Sequence, residues 1–345
     1  MHKRIIAILG TLILLSLACN LPAVSQVVQS APGAIALGNL VTPDPNATPT
    51  PTPFQPIANS AEGTPRPETA ALTPEPSATS DALIDRLPRP DGQVNILLLG
   101  SDFRPNSGYR TDVIMLVSLN PKLGTASVVS FPRDLYVYIP GWKQQRINTA
   151  QAHGGFDMTV DTFEYNFGVT PDHYIMTNFD GFKGIIDTLG GIDVYAANYM
   201  SDSCDLPAAD YEGFCSISPG WVHMDGTTAL WYVRARHTSS DFDRTRREQE
   251  VIQAIFVRLL NLNAVARAPE LYNLFINSVE TDLGINDILP LLPLATKLSD
   301  TSTIARYAVG PDQVTSWTTE EGAAVLLPNT EAIWDIIRRA AYNQP

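Results

Sequence analysis

The chain is poor in cysteine and lysine, and it lacks several motifs that would identify common classes of enzyme. No C-x-x-C or H-x-x-x-H pair occurs, so a structural zinc site is not indicated. A G-x-S-x-G elbow, a P-loop and a G-x-G-x-x-G turn are also missing, which argues against serine hydrolases and nucleotide enzymes. Because the net charge is −13, we expect no binding to nucleic acid.

Residues 1–19 have the pattern of a bacterial lipoprotein signal. Lys3 and Arg4 precede an apolar stretch, Ile5 to Ala18, that is shorter than the roughly 20 residues of a membrane span. Cys19 follows directly, and we expect it to carry lipid in the mature protein. An uncleaved short anchor is the alternative. Either way, we expect the rest of the chain to lie outside the cytoplasm, anchored to the bacterial cytoplasmic membrane.

Residues 20–90 are rich in Pro and Thr and have little apolar surface to bury. This composition predicts an extended, disordered linker that serves as a passive spacer.

Two of the three cysteines lie in one loop further along the chain. If Cys19 carries lipid, Cys204 and Cys215 remain as a pair. In an exported protein we expect them to form a disulfide that stabilises the loop by roughly 2–3 kcal/mol.

From residue 91 to 345 the pattern of apolar residues predicts one folded domain of the α/β class. Mixed strands and helices with an adjacent hairpin favour an α-β-α sandwich around a central mixed, largely antiparallel sheet. The predicted strands are Val94–Gly100, Asp112–Asn120, Ala126–Phe131, His173–Phe179 and Ile192–Ala196. The predicted helices are Phe156–Phe167, Gly181–Leu189, Arg244–Leu262, Pro269–Val279, Ile285–Leu298 and Thr330–Ala341.

Three segments of this domain, residues 95–121, 128–155 and 229–252, each begin with an apolar stretch and end in Arg and Asp. Arginine forks hold phosphate oxygens in pairs, and carboxylates bind the divalent ion that accompanies phosphates. Together the segments indicate a pyrophosphate site and phosphoryl-transfer chemistry. A GC-rich genome is the alternative source of the arginine excess, although it does not explain why the arginines cluster.

The first segment supplies two aspartates. Asp102 and Asp112 flank a Gly/Ser/Asn loop and together are suited to bind one magnesium ion, unless Asp102 only bonds its own turn. Arg110 and Asp112 share a face if the chain there is extended, which is equally compatible with a simple ion pair.

The third segment is the richest in arginine. Arg234 and Arg236 share a face if residues 232–236 are extended. Arg244 and Arg247 lie three residues apart in the first turn of a predicted helix, where free backbone N–H groups favour anions. The alternative is that Asp243 or Thr245 merely caps this helix.

In order along the chain, these residues reproduce the motif set of one bacterial family. The motifs are ILLLG-x-D-x-R, R-T-D, S-x-P-R-D, a basic residue before I-N, G-G-[IV]-x-V, G-x-x-A-L-x-Y-x-R-x-R and D-x-x-R-x-x-R-Q-Q. Over residues 93–260 the chain is therefore similar to the LytR-CpsA-Psr family of cell-envelope proteins, and residues 261–345 fit the helical end of the same domain. The matching positions are Asp102 with Arg104, Arg110 with Asp112, Arg133 with Asp134, Arg146 to Asn148, Gly190 to Val194, Gly226 to Arg236, and Asp241, Arg244 and Arg247.

The resemblance implies an extracytoplasmic enzyme that moves a glycopolymer from undecaprenyl pyrophosphate onto peptidoglycan through a phosphodiester bond. It implies Mg²⁺ (or Mn²⁺) at Asp102 and Asp112, and an apolar pocket for the polyprenyl chain. The residues it implies in binding the pyrophosphate are Arg104, Arg110, Arg133, Arg146, Arg234, Arg236, Arg244 and Arg247. Those it implies in catalysis are Arg110, Asp112, Arg133, Arg234, Arg236, Asp241 and Arg244.

Two other functions fit the same residues: a lipoprotein that binds polyprenyl pyrophosphate without transfer, and a pyrophosphatase acting on that lipid. One position departs from the family pattern, because the first glutamine after R-x-x-R is Glu248 here. A carboxylate at this place repels phosphate unless it pairs with Arg244, four residues earlier.

Overall fold

The structure is a computed structural model that describes residues 87–102, 109–237 and 240–342. The predicted signal with Cys19, nearly all of the predicted linker, and Arg104 lie outside the described residues. The predictions made for them therefore stay predictions.

The described residues form 14 strands and eight α-helices, joined by short 3-10 turns. The strands are β1 (Val94–Ser101), β2 (Thr111–Asn120), β3 (Thr125–Ser130), β4 (Tyr136–Tyr138), β5 (Gln144–Arg146), β6 (His173–Thr177), β7 (Ile192–Ala196), β8 (Met200–Ser203), β9 (Phe214–Ile217), β10 (Gly220–Met224), β11 (Glu280–Thr281), β12 (Ala305–Ala308), β13 (Val314–Thr318) and β14 (Ala324–Pro328). The helices are α1 (Ala150–Phe167), α2 (Phe179–Thr188), α3 (Gly226–Arg234), α4 (Asp241–Asn261), α5 (Ala268–Phe275), α6 (Ile285–Ile288), α7 (Leu292–Lys297) and α8 (Thr330–Ala341).

Six strands form the central sheet in the order β11-β6-β1-β2-β3-β12. β1, β2 and β3 are an antiparallel meander, whose second turn closes at Gly124 with φ 72°. β6 lies parallel to β1 because α1 crosses over between them, and β12 lies parallel to β3. The predicted mixed, largely antiparallel sheet is confirmed.

The two faces of the sheet carry different layers of the sandwich. Leu97, Leu116 and Val129 lie on one face, in a buried core that includes residues of α1 and α8. Leu98 and Val128 lie on the other face, toward α4 and the segment around α7. Since side chains alternate along a strand, apolar residues on both faces give a sheet covered on both sides. This is the α-β-α arrangement that we predicted.

A second core lies beside the sheet. It is built from α2, α3, α4, the antiparallel pair β7–β10 and the β8–β9 hairpin, with Ile192, Val194, Met224 and Tyr232 fully buried. Helix α4 contributes to this core through Val251 and also faces the central sheet. The helix therefore holds the two halves of the domain together.

Several predicted elements differ from those observed, for local reasons. Helix α1 begins six residues earlier than predicted and is interrupted at Gly154 and Gly155, where the second glycine has φ 68°. The stretch Ile285–Leu298 is not one helix, because Pro290 and Pro293 divide it into shorter turns. Within the described residues, no helix is both long and apolar enough to cross a membrane.

Candidate functional site

Acidic and basic side chains from distant parts of the chain meet at one edge of the central sheet. β1 ends at this edge and the antiparallel β2 begins there, so Asp102 and Asp112 lie on neighbouring strands. β3 ends at the same edge and is followed by Arg133. Gln249 of α4 donates from Nε2 to Ser130 Oγ at 2.7 Å, which brings the first turns of α4 to this edge. The meander therefore brings together charged residues that lie far apart in the sequence.

A β-bulge places Asp112. Ser101 pairs with Thr111 and Gly100 pairs with Val113, so Asp112 is the extra residue of β2. A bulge changes the direction of a side chain, and bulges are frequent beside active sites.

Asp102 and Arg110 are joined through the backbone. Asp102 is buried, and its Oδ1 accepts the backbone N–H of Arg110 at 2.8 Å, while the Arg110 side chain is exposed. The bulge interrupts the alternation from which we predicted that Arg110 and Asp112 share a face. Asp112 pairs with a residue of another segment instead.

That residue is Arg133. Its Nη1 lies 3.1 Å from Asp112 Oδ2, and its Nε lies 3.4 Å from Asp134 Oδ2. Asp134 Oδ1 also lies 3.3 Å from Arg146 Nε, so two arginines share one aspartate. Burial acts to lower the pKa of the Arg133 guanidinium, but nearby carboxylates, among them Asp112 and Asp134, outweigh it and raise the pKa above its usual value.

A second network lies at the start of α4. Asp241 Oδ1 is 2.9 Å from Arg244 Nη1 and 3.8 Å from Arg236 Nε. Arg244 Nε lies 3.4 Å from Glu248 Oε1, one turn further along the helix. Ser240 is the N-cap of α4 and accepts the backbone N–H of Asp243, while the Asp243 carboxylate accepts the backbone N–H of Ser240 at 3.1 Å. Asp243 therefore belongs to a capping box, as the alternative for this segment allowed, and Thr245 does not cap the helix.

The two networks act on each other electrostatically. The pKa of Arg236 is lowered by burial and then by the positive charges of Arg244 and Arg133. Asp241 in turn contributes to the raised pKa of Arg133. The guanidinium groups of Arg236, Arg244 and Arg133 are therefore close enough for their charges to repel, and an anion bound between them would offset that repulsion.

Glu248 is a buried carboxyl group inside this site, with 8% of its surface exposed. Burial raises its pKa to about 8, against the opposing effect of Arg244 and Arg247 and with the help of Asp112 and Asp241. Near neutral pH the group is therefore mostly protonated. In that form it adds no charge that would repel a phosphate.

Arg234 and Arg247 are placed differently from the other predicted arginines. Residues 232–234 are helical, so the prediction of an extended segment was wrong there. Arg234 ends α3 and lies over the ring of Phe179, 4.5 Å from its centroid.

Arg247 is 1% exposed and donates to the carbonyl oxygens of Tyr232 and Ala235, both at 2.6 Å. Because the Arg247 guanidinium donates to the protein backbone, the prediction that Arg247 binds phosphate is wrong.

An apolar cleft lies along α4, and Gln249, which bonds Ser130 at the end of β3, is one of its lining residues. The cleft has a volume of about 250 Å³ and lies between the helix and the sheet. The sheet contributes Leu98, Val117, Val128 and other aliphatic side chains, and α4 contributes Gln249, Ile252, Gln253 and Phe256. These strand residues are only partly buried, which marks the cleft as accessible apolar surface.

Sequence reasoning did not assign a role to three groups of the site. Asn148 directs Nδ2 toward Asp112 Oδ1 at 3.5 Å, and Asp134 bridges Arg133 and Arg146. Both residues belong to quoted motifs, so their positions were a usable signal. The neutral state of Glu248 had no such signal, because it depends on burial.

A divalent cation fits this site only through two carboxylates. No group of three or more His, Cys, Asp or Glu residues suited to a metal occurs in the described part of the chain. Asp102 and Asp112 lie on adjacent strands, and Mg²⁺ is commonly bound by one or two carboxylates together with phosphate oxygens and water. The donor set therefore suits an ion that arrives with, or completes its shell from, a phosphate ligand.

Comparison with known proteins shows which family the chain belongs to. The chain is 34% identical over 197 residues to the polyisoprenyl-teichoic acid–peptidoglycan teichoic acid transferase TagU of Bacillus licheniformis, covering 56% of this chain and 61% of TagU. It is 32% identical over 216 residues to TagT of Bacillus subtilis, covering 61% of this chain and 66% of that relative. The matched part thus spans about three fifths of each relative.

Solved structures share the fold. The crystal structure of B. subtilis TagV superposes with a TM-score of 0.61 at 25% identity, covering 74% of this chain and all of TagV. A structure of TagT bound to LIIa-WTA superposes with a TM-score of 0.55 at 25% identity, covering 73% of this chain and 92% of that one. The model of the LytR_cpsA_psr family matches residues 64–332, and the chain therefore belongs to this family.

Proposed function

We propose that this protein transfers a glycopolymer from a polyprenyl-pyrophosphate carrier to peptidoglycan, outside the cytoplasm. The observation that supports the proposal is that one helix, α4, carries part of the arginine cluster in its first turn and lines an apolar cleft in the turns that follow. A lipid pyrophosphate has the same two parts, a doubly charged head and an apolar tail. Relatives named as teichoic acid transferases that act on peptidoglycan agree with this substrate class.

The head group fits the space between the two networks. Arg133, Arg236 and Arg244 lie around it, and among the described residues each contacts a carboxylate of the protein, Asp112 or Asp241. A pyrophosphate supplies oxygens in pairs, which match the fork of a guanidinium better than single carboxylate contacts do. The N-terminus of α4 adds free backbone N–H groups on the same side.

The tail fits the cleft. Its walls are mostly apolar, with aliphatic side chains of the sheet facing Ile252 and Phe256 of α4, so an isoprenoid chain buries apolar surface there at about 25 cal/mol per Å². Gln249 lies at the end of the cleft near the charged edge, with its amide nitrogen held by Ser130 Oγ and Tyr307 O. The polar group thus stands at the junction of head and tail.

In the reaction, a hydroxyl oxygen of peptidoglycan forms a bond to the phosphorus that carries the glycopolymer. The bond from this phosphorus to the bridging oxygen breaks, polyprenyl phosphate leaves with that electron pair, and the hydroxyl proton is released. The arginines neutralise the charge that develops on the transferring and leaving phosphates. Asp102 and Asp112 would hold Mg²⁺ or Mn²⁺, which would supply further charge neutralisation when bound.

The test uses the purified full chain, labelled glycopolymer on polyprenyl pyrophosphate, and peptidoglycan. We expect covalent attachment of label, and at least a tenfold loss of substrate affinity in Arg133→Ala or Arg236→Ala, since a charge-assisted contact contributes roughly 1.5–3 kcal/mol. Arg→Lys at either position should restore binding only in part. The matched control is Arg338→Ala in α8, where the arginine pairs with Asp335 at the surface.

A second arm separates head from tail. Val117→Asn in the cleft should weaken binding of polyprenyl pyrophosphate but not of inorganic pyrophosphate. Binding without attachment would show a carrier protein, and release of polyprenyl phosphate without attachment would show a pyrophosphatase. If the Arg133 and Arg236 variants match Arg338→Ala, the site assignment is wrong.

A further inference from the structure

A disulfide-closed hairpin lies against the segment that presents Arg236. The β8–β9 hairpin pairs Asp202 directly with Cys215, and Cys215 is bonded to Cys204, two residues after Asp202. The Cα atoms of the two cysteines are 5.8 Å apart, and Cys204 N–H also donates to Gly213 O at 2.9 Å. The covalent bond therefore joins the two strands at the position of Asp202.

Asp202 holds the backbone on either side of the Arg236–His237 peptide. Its Oδ2 accepts the backbone N–H of Arg236 and, at 2.9 Å, that of His237. Its Oδ1 accepts from the backbone N–H of Ser203 at 2.7 Å, which fixes the carboxylate on its own strand. Oδ1 of Asp202 therefore accepts a hydrogen bond from the hairpin, and Oδ2 accepts hydrogen bonds from residues 236 and 237.

Other contacts of the hairpin reach the same region. Ser203 O accepts from Trp231 Nε1 at 2.9 Å, and the Phe214 ring packs edge-on against the His237 ring with centroids 5.2 Å apart. From the opposite side, Arg247 donates to Ala235 O at 2.6 Å. A cation on the carbonyl side and an anion on the amide side therefore restrain residues 235–237.

This restraint matters because Arg236 belongs to the charged cluster. Its Nε lies 3.8 Å from Asp241 Oδ1, the same oxygen that contacts Arg244. The side chain is about half exposed (47%) and follows the end of α3, outside the second core, so core packing does not fix where it points. Its backbone contacts are what set its direction.

We propose that Asp202 is a positioning residue for Arg236, and that the Cys204–Cys215 disulfide keeps Asp202 in place for this role. The inference rests on the proposed function, in which Arg236 binds the pyrophosphate head. Asp202 itself touches neither substrate nor metal in this assignment. Its effect passes through the backbone of residues 236 and 237.

The test is a double-variant cycle on the full chain, with farnesyl pyrophosphate as the probe. We expect Asp202→Ala to weaken binding at least about threefold in the wild-type background and less than about 1.5-fold when Arg236→Ala is already present. In an Arg133→Ala background, where Arg236 is present, Asp202→Ala should again weaken binding at least about threefold. Asp193→Asn is the matched control and should leave binding unchanged, since Asp193 lies in the neighbouring antiparallel pair β7–β10 and contacts His223 there.

Reduction of the disulfide with dithiothreitol should weaken binding as Asp202→Ala does, and should add nothing in Asp202→Ala protein. If Asp202→Ala does not fold, Asp202→Asn keeps one acceptor oxygen and should lose binding by a smaller factor, again only while Arg236 is present. Equal losses with and without Arg236, or no loss at all, would overturn the inference. A failure of the proposed function is distinct, because Arg236→Ala itself would then leave binding unchanged.

Discussion

Replacing Glu248 by glutamine should change how stability depends on pH. The carboxyl group has a pKa of about 8 in the folded protein and 4.5 as its ordinary value, because it is buried on the inner side of α4. At pH values between these two, the folded chain holds one proton more than the unfolded chain. Stability therefore falls as pH rises from about 4.5 to about 8, by up to about 1.4 kcal/mol per pH unit.

The total effect follows from the two pKa values. Their difference corresponds to about 5 kcal/mol between pH 4 and pH 9 as an upper limit, since relaxation and water entry reduce it. Glutamine has the shape of the protonated acid and does not titrate. Glu248→Gln should therefore match the wild type near pH 4.5 and be more stable than it by several kcal/mol at pH 9.

The assay is urea unfolding of both proteins at pH 5, 7 and 9, compared as a difference so that all other titrating groups cancel. Glu331→Gln, at an exposed position in the first turn of α8, is the control and should show a difference that does not vary with pH. If the Glu248→Gln difference is also constant from pH 5 to 9, the carboxyl group is not buried and neutral as we argue.

The same proton should control substrate binding. Above pH 8 the wild type must take up a proton to hold the pyrophosphate next to Glu248, so its affinity should fall by about tenfold at pH 9. Glu248→Gln should show no such fall, whereas equal pH profiles in the two proteins would contradict the reasoning.

Three further outcomes follow from the packing. Gly181→Ala in α2 should destabilise the protein by roughly 1–3 kcal/mol or more in thermal unfolding, because the new Cβ would lie 2.3 Å from Ser278 O. Gly184→Ala is the control: its Cβ would meet its nearest atom at 4.0 Å, so this variant should be neutral or stabilised by up to about 1 kcal/mol. Arg247→Ala should lower the free energy of unfolding by about 3 kcal/mol or more, since two buried carbonyls lose their donor. A loss no larger than that of Arg338→Ala would show that Arg247 does not stabilise the fold. Without a reductant, alkylation of the exported protein should label neither Cys204 nor Cys215, and labelling of both would exclude the disulfide.

Local patterns were enough to predict much of the sheet and several helices. β1 and β2 each differ from the predicted strand by one residue at one end, β3 is shifted by one residue at both ends, and α8 spans Thr330–Ala341 as predicted. Such elements are determined by apolar periodicity and by turn or cap residues near them in the chain. The segment before α4 did not follow local pattern. Alternating arginines suggested an extended chain at 232–236, but burial of Tyr232 in the second core favours a helix to Arg234.

By itself, the sequence determined the fold class, the family and which charged residue types gather at the site, because these depend on periodicity and on ordered motifs. Only the tertiary structure decided which of these charged groups pair with one another, which is neutral and which is left to bind a ligand. The bulge in β2 turns Asp112 to Arg133, burial keeps Glu248 protonated, and the carbonyls of α3 take Arg247 away from any ligand. The role of Asp202 also comes from the fold, since a hairpin that belongs to none of the motifs supplies the contact. Burial and contacts between distant segments set the energy of a charge, and neither can be read from neighbours in the chain.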